Sequence, residues 1–274
     1  YSNDYFDFVI PYGEAYTVSP PETCIQRIDE DYDVLYYQRA GLPPLNIGDY
    51  TYSSIPKCFG LLDQTALEVS GILRMQMQPA LRLTGSGVLI GFIDTGIDYT
   101  NPIFRYEDGS SRIVQIWDQT IEDGTPPPGI FYGVNYNQTQ INEALETENP
   151  YEIVPTRDTN GHGTFLAGVA CGGLDIQNDF IGAAPDAQIA VVKLKEAKQY
   201  LKDFFFVKEG VLAYQENDIM VGVAYLDGLA NMLNLPLVIC LGVGSSNGSR
   251  AGNSNLSTYL NIISNRRKRA VVTA

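Results

Sequence analysis

From residue 88 onward, short apolar runs alternate along the chain with segments in which hydrophobic residues recur with the period of a helix. Unbroken apolar runs are typical of strands buried on both faces of a sheet. Strand and helix patterns that follow one another in turn predict an α/β domain with a mostly parallel sheet. The predicted strands are residues 88–93, 112–117, 187–195, 237–243 and 270–274. The predicted helices are residues 165–170, 216–233 and about 256–263.

The N-terminal part has a different pattern. Residues 1–62 are rich in tyrosine and contain short β-like runs at 6–12, 24–28, 34–38 and 50–59, separated by proline-containing turns. A β-rich unit of this size buries little core by itself, so we expect it to lean on the larger domain.

Two further segments connect these parts. Residues 63–87 are predicted to be a connector with a short helix at 65–75. Residues 119–157 follow neither period and include three consecutive prolines, Pro126 to Pro128, so they are predicted to be a long irregular loop.

Charge and composition exclude several classes of function. The net charge of −14 argues against a nucleic-acid partner, which needs a basic surface. No apolar run is long enough to cross a bilayer, so no membrane span is expected. The four cysteines form no CxxC pair, and one histidine is too few for most zinc sites. No metal site is predicted. Calcium binding stays possible, although the acidic residues of 119–157 do not have the spacing of an EF-hand.

Three motifs carry candidate chemistry, and each has a simpler interpretation. Asp94-Thr-Gly follows the central apolar run, where the carboxylate either orients a histidine or closes a turn; alone, the turn is favoured. His162 lies between two glycines and is equally consistent with a structural or a catalytic role. The glycine-containing stretch from Leu241 to Gly244 is either a common loop or an open edge that pairs with an extended peptide.

Taken in chain order, these motifs resemble those of the subtilisin-like serine proteases, the subtilases of peptidase family S8. Asp, then His, then a later Ser is the order of that family's triad. The matching stretches are VLIGFIDTG at 88–96, NGHGTFLAG at 160–168 and ICLGVG at 239–244. The wording IDTGIDYTNPIF further resembles clostridial subtilases, including the Csp-type proteases of spore germination. The resemblance covers about residues 70–274.

The resemblance implies a fold and a domain organisation. The fold would be a three-layer αβα arrangement around the mostly parallel sheet, preceded by a small β-rich α+β propeptide-like domain. Residues 1–62 would be that propeptide of a zymogen, residues 63–87 a linker or processing region, and residues 88–274 the N-terminal part of the catalytic domain.

The resemblance also assigns site residues. Asp94 and His162 would be catalytic, and Leu241, Gly242, Val243 and Gly244 would bind the substrate backbone. The family's GTSxAxP serine motif and oxyanion asparagine do not occur in the 274 residues. They are expected on a C-terminal portion of the same protein.

The expected function is a serine endopeptidase that acts on peptide or protein substrates through an Asp-His-Ser triad. The alternative is a catalytically inactive pseudoprotease that serves as a binding or germination-signalling module. A nucleotide-binding α/β domain fails on motif, because Gly85-Ser-Gly precedes the strand instead of following it. No cofactor is expected to be required, and an extracellular or spore-associated location is favoured over the cytoplasm.

Overall fold

The computed structural model divides the chain into two compact units, Tyr1–Leu61 and Leu62–Ala274. The structure describes residues 5–11, 24–27, 32–40, 42–43, 46, 48–51, 54–55, 71–78, 83–244, 252 and 254–273.

The first unit contains a three-stranded antiparallel sheet. Phe8 is buried, and its ring stacks on Tyr50 with centroids 5.1 Å apart. Three of the four predicted β-like runs are confirmed as strands. The fourth, at 50–59, is wrong where it is described, because residues 50, 51, 54 and 55 lie in turns, bends or irregular chain; its other residues lie outside the described part. In the order β1-β3-β2, the strands are β1 (Tyr5–Pro11), β2 (Cys24–Arg27) and β3 (Tyr32–Gln38).

The second unit is built on a six-stranded sheet of order β6-β5-β7-β4-β8-β9. Every neighbouring pair is parallel except β5 with β6. The strand predicted at 88–93 is observed one residue later, at Leu89–Asp94; it lies at the centre of the sheet, and all six of its residues are buried. The strands are β4 (Leu89–Asp94), β5 (Ile113–Asp118), β6 (Val134–Asn137), β7 (Gln188–Lys193), β8 (Leu237–Leu241) and β9 (Arg269–Thr273).

Helices cover both faces of this sheet. Side chains of β4 alternate between two hydrophobic clusters: Ile90 and Phe92 belong to one, Leu89 and Ile93 to the other. Helices α2 and α3 contribute to the first cluster, and α5 and α6 to the second, which confirms the three-layer αβα prediction. The helices are α1 (Ile72–Gln76), α2 (Gln138–Leu145), α3 (His162–Cys171), α4 (Gln199–Phe204), α5 (Glu216–Leu233) and α6 (Asn255–Ser264).

The predicted long loop at 119–157 is wrong, because it contains β6 and α2. Helix α2 starts with a capping box in which the Asn137 side chain accepts from the Gln140 amide and the Gln140 side chain accepts from the Asn137 amide, both at 3.0 Å. The pairing Asn-x-x-Gln was therefore present in the sequence as a helix start that the periodicity alone did not reveal. Helix α4 was not predicted either.

The connector is described only from residue 71, so most of the helix predicted at 65–75 lies outside the described residues. Its described part is α1. The Gln76 side chain donates to the carbonyl oxygens of Gly182 and Ala183, at 3.0 and 2.9 Å, and so attaches α1 to the loop before β7. Among the helices that the structure describes, none combines the length and the apolar character needed to cross a membrane.

A buried arginine holds the far end of α3. Arg112 is 1% exposed, and its guanidinium donates to the carbonyl oxygens of Ile103, Cys171 and Ala187. Burial lowers its pKa, and the last carbonyls of a helix favour a cation. The arginine therefore ties the C-terminus of α3 to the chain entering β7.

Candidate active site

The register of the sheet places the sequence-predicted residues at one edge. Asp94 ends β4 and lies opposite Lys193 of β7, while Ile93 lies opposite Leu241 of β8. Because the strands are parallel, their carboxyl ends meet at the same edge, which is where α/β sheets hold their sites. Asp94 and the residues that follow Leu241 are therefore neighbours.

The structure brings Asp94 and His162 into direct contact although they are 68 residues apart. Nδ1 of His162 lies 2.8 Å from Oδ1 of Asp94, and the same oxygen accepts from the Thr95 amide at 2.7 Å. An ionised carboxylate only accepts, so Nδ1 carries the proton and donates it. Nε2 is left as the basic nitrogen of a side chain that is 45% exposed, beside a carboxylate that is 1% exposed.

Helix α3 positions the histidine as its first residue, after Gly161 in a left-handed conformation. The next residue, Gly163, packs directly on the turn after β4. A Cβ at Gly163 would lie 2.2 Å from the carbonyl oxygen of Gly96 and 3.2 Å from Cβ of Asp94. Only a glycine allows this approach, and the approach is what brings the start of α3 to the end of β4.

The stretch from Leu241 to Gly244 lies against this pair. The Leu241 side chain is buried in the core, and Leu241 is the last residue of β8, opposite Ile93 of β4 and Thr273 of β9. A Cβ at Gly242 would lie 2.5 Å from Oδ2 of Asp94 and 3.3 Å from Cε1 of His162. Val243 and Gly244 are past the end of β8, so the strand predicted at 237–243 is two residues shorter than expected. No described residue forms a hydrogen bond with the backbone of Val243 or Gly244.

Sequence reasoning missed Asp158, which is hydrogen-bonded to the segments that carry the two members of the pair. Its carboxylate accepts hydrogen bonds from Thr95 and from the loop and first turn that carry His162. Burial acts to raise the pKa of Asp158, but the hydrogen bonds from Thr164, Gly161 and Thr95 together lower it. An acidic residue four positions before His162, at the start of a Thr-Asn-Gly turn, was the available signal.

A second polar network lies at the ends of β5 and β7. Asp118 is fully buried and accepts from Thr156 and from Lys193 Nζ, at 2.5 and 3.1 Å. Asp218 pairs with Lys195 and accepts from the Tyr132 hydroxyl at 2.9 Å. Asp118 and Asp218 are therefore each paired with a lysine, whereas the partner of Asp94 at this edge of the sheet is His162.

Two other side chains lie within the electrostatic field of the pair. Burial raises the pKa of Tyr214, and the charges of Asp94 and Asp158 raise it further. Burial also raises the pKa of the Cys240 thiol, with a smaller contribution from Asp94. A second thiol, Cys171, is completely buried, and its pKa is raised to about 12 by burial. Both thiols are therefore poor nucleophiles.

No group of three or more His, Cys, Asp or Glu side chains among the described residues is arranged to hold a metal ion. Of the serines near the C-terminal end, Ser254 caps α6 by accepting from the Ser257 amide at 3.2 Å, which occupies its hydroxyl structurally. Ser245, Ser246 and Ser249 lie outside the described residues.

Comparison with known proteins agrees with this arrangement. The family model described as "Subtilase family" (Peptidase_S8) matches residues 85–274. Among solved structures, the CspB protease of Clostridium perfringens is 34% identical with a TM-score of 0.63, over 76% of this chain and 40% of that one. This likeness confirms the resemblance to a Csp-type protease.

Two curated plant proteins also match. The subtilisin-like protease SBT3.5 of Arabidopsis thaliana is 31% identical over 130 residues, which is 40% of this chain and 16% of that protein. The subtilisin-like protease SBT2.2 of the same plant is 32% identical over 126 residues, 40% of this chain and 15% of that protein. The chain spans less than half the length of each of these relatives. Because the family model covers more than two thirds of the chain and includes both members of the Asp94–His162 pair, this protein belongs to the subtilase family.

Proposed function

We propose that this protein is a serine endopeptidase in which Asp94 and His162 form two members of a catalytic triad. The observation that carries the proposal is the 2.8 Å contact between His162 Nδ1 and Asp94 Oδ1. In the neutral imidazole, this contact makes Nε2 the acceptor nitrogen of a half-exposed ring, which is the form of histidine that a general base requires.

The proposed roles follow from this geometry. His162 takes the proton of the attacking serine through Nε2 and later returns it to the leaving amine. Asp94 holds the ring in the required tautomer and stabilises the imidazolium that forms. The proposal places the nucleophilic serine and the oxyanion asparagine on a C-terminal portion of the same protein, as the resemblance to the family implies.

We place the substrate along Gly242, Val243 and Gly244. This stretch continues the line of β8 past the end of the ladder, next to the catalytic pair, and the backbone of its last two residues is free of partners among the described residues. An extended peptide that pairs with this stretch as an added strand would run past the catalytic pair, with its scissile bond beside Nε2 of His162.

Labelling of the native protein with a serine-directed fluorophosphonate, followed by mass spectrometry of all its polypeptides, tests the proposal. We expect one labelled serine in a GTS sequence and a loss of roughly 10³-fold or more in labelling rate when His162 is replaced by alanine. Labelling that persists at the original rate in the His162→Ala variant would contradict the assignment of the base.

The alternative is a catalytically inactive binding or germination-signalling module, which the intact Asp94–His162 pair makes the second choice. In that case the native protein would bind peptides at the stretch after β8 without cleaving them. Peptide binding without fluorophosphonate labelling or hydrolysis would decide for the module.

We further propose that the reaction requires no cofactor and that the protein acts extracellularly or in association with the spore. Residues 1–62 and 63–87 would then be the propeptide and the processed linker of a zymogen. Hydrolysis that is lost on treatment with a calcium chelator and restored by calcium would contradict the proposal that no cofactor is required. N-terminal sequencing of the mature protein tests the processing, with a new N-terminus expected between residues 63 and 87.

A further inference from the structure

The Asp158 carboxylate accepts five hydrogen bonds, which saturates its acceptor capacity. Its Oδ1 accepts from the Thr95 hydroxyl at 2.8 Å, the Gly161 amide at 2.8 Å and the Asn160 amide at 3.2 Å. Its Oδ2 accepts from both the amide and the hydroxyl of Thr164, at 2.9 and 2.7 Å.

The two threonines that donate to Asp158 link the segments bearing the catalytic pair. Thr95 directly follows Asp94, and its hydroxyl oxygen accepts from the amide of Gly163 in α3 at 2.9 Å. Thr164 lies in the first turn of α3, and its hydroxyl oxygen accepts from the amide of Asp98, beyond the turn, at 2.8 Å. Each hydroxyl therefore donates a hydrogen bond to Asp158 and accepts one from a backbone amide of the opposite segment.

A helix-capping role does not account for this pattern. The N-cap position of α3 is Gly161, and Asp158 takes over part of the capping by accepting from the Gly161 and Thr164 amides. A cap has no need of the Thr95 hydroxyl, which belongs to the end of β4, 63 residues earlier in the chain. That bond connects the carboxylate to the segment of Asp94 as well as to the segment of His162.

We propose that Asp158 is a positioning residue for the catalytic pair. Its carboxylate orients the hydroxyls of Thr95 and Thr164, and these hydroxyls lock the end of β4 to the start of α3. The Asp94–His162 contact is held by this clamp. The consequence for catalysis rests on the proposed function, whereas the clamp itself is measurable without any reaction.

Replacement of Asp158 by asparagine is the primary test. The carboxamide keeps the size of the side chain but turns one acceptor oxygen into a donor. Whichever oxygen is replaced, at least one amide and one hydroxyl then face an NH2 group. The matched control is Asp175→Asn. Asp175 also accepts two backbone amides, of Gln177 and Asn178, and has a pKa lowered by its hydrogen bonds, but its side chain bonds only within its own loop and not to the turn after β4.

Two readouts on the native protein decide the proposal. The first is amide hydrogen exchange at Gly163 and Asp98, which we expect to quicken at least about tenfold in Asp158→Asn, the equivalent of one lost charge-assisted hydrogen bond. The second is the signal of the Nδ1 proton of His162, the only histidine of the 274 residues, in the far-downfield NMR spectrum. We expect its signal to broaden in Asp158→Asn and to stay unchanged in Asp175→Asn.

A Thr95 series covers the case in which Asp158→Asn fails to fold. Thr95→Val removes one donor to Asp158 together with the acceptor of the Gly163 amide, and leaves the bonds from the Gly161 and Thr164 amides. It should therefore speed exchange at Asp98, on the other side of the clamp, and broaden the imidazole signal. Thr95→Ser restores the hydroxyl and should restore both readouts. Unchanged exchange and an unchanged imidazole signal in a folded Asp158→Asn or Thr95→Val variant would overturn the proposal.

The kinetics of the active protein separate this inference from the proposed function. In a wild-type protein that hydrolyses peptides, Asp158→Asn should lower kcat with little change in KM, since the substrate stretch after β8 is untouched. A wild-type protein without activity, in which the two NMR readouts nevertheless respond as expected, would reject the protease and keep the clamp.

Discussion

At the scale of single residues, the site depends on backbone positions as much as on titratable groups. Asp94 is buried, and its Oδ2 has no hydrogen-bond partner in the described part of the chain. Gly242 lies against that oxygen so closely that a Cβ would come within 2.5 Å of it and 2.2 Å of Leu166 Cδ1. A leucine end can move without losing a hydrogen bond, whereas Asp94 can move only by giving up its bonds to His162 and Thr95.

We therefore expect Gly242→Ala to displace Asp94 from His162. The far-downfield proton of His162 should broaden or disappear, and in the active protein kcat should fall by roughly 10²-fold, the usual cost of a misplacement of about 1 Å. The matched control is Gly228→Ala in α5, where a Cβ meets nothing within 4 Å. A sharp imidazole signal in Gly242→Ala would show that the site has more room than its geometry indicates.

Asp158 also sets an acid limit on stability. Its pKa is lowered in the folded chain, since the hydrogen bonds that favour the charged form together outweigh the burial that opposes it. A carboxylate with a depressed folded pKa stabilises the fold above its unfolded pKa of about 3.9, and this contribution is lost as the pH falls through the folded value. Urea midpoints measured from pH 6 downward should converge for the wild type and Asp158→Asn below about pH 4. A constant difference across that range would contradict the assignment.

At the scale of elements, helix α3 is fixed at both ends. Its first turn is held through Asp158 and the close approach of Gly163, and its last turn through the buried Arg112. The periodicity of residues 165–170 predicted the helix but neither attachment, because both depend on groups from distant strands and turns.

Replacing Arg112 by methionine should destabilise the fold by about 2–4 kcal/mol, because the carbonyls of Ile103, Cys171 and Ala187 lose a buried charged donor. Asn137→Ala in the capping box of α2 provides the comparison, with an expected loss of about 1 kcal/mol. Chemical denaturation of both variants measures the two losses. A smaller loss for Arg112→Met than for Asn137→Ala would show that Arg112 does not hold α3.

At the scale of the second unit, the basic run near the C-terminal end joins helix to sheet. Arg269, at the start of β9, and Arg266 both pair with Asp227 of α5, and Arg269 also bonds Asn231. Asp227 is 4% exposed. The run 266–269 begins after the end of α6 at Ser264, and its two paired arginines attach to α5.

Loss of Asp227 should be costly, and loss of Arg266 should not. Asp227→Ala leaves Arg269, whose side chain is 5% exposed, without its partner carboxylate, and should cost about 3–5 kcal/mol. Arg266→Ala removes a side chain that is 49% exposed and should cost less than about 1 kcal/mol. Equal losses of unfolding free energy in the two variants, measured by thermal or urea unfolding, would mean that the Arg266–Asp227 pair carries the stability and the buried Arg269–Asp227 pair does not.

Much of this molecule follows from local sequence. Helix α5 begins and ends at the predicted residues, and the central strand was placed within one position. Hydrophobic periodicity suffices there, because a buried strand and an amphipathic helix each record their surroundings in their own side chains. The Asp94-Thr-Gly and Gly-His162-Gly motifs in order were likewise enough to indicate the subtilase family.

The tertiary structure alone decided how those motifs become a site. The sequence of 119–157 lacked a clear period, so β6 and α2 emerged only with their sheet and core partners in place. Asp158, Gly242 and Arg112 were not given their roles by the sequence, because those roles consist of contacts with residues far away in the chain. For Asp94 taken alone, the sequence favoured a simple turn; only the packing of α3 against the end of β4 brings His162 within hydrogen-bond distance of its carboxylate. Local pattern fixes what a segment becomes, while close approach between distant segments determines what a side chain does.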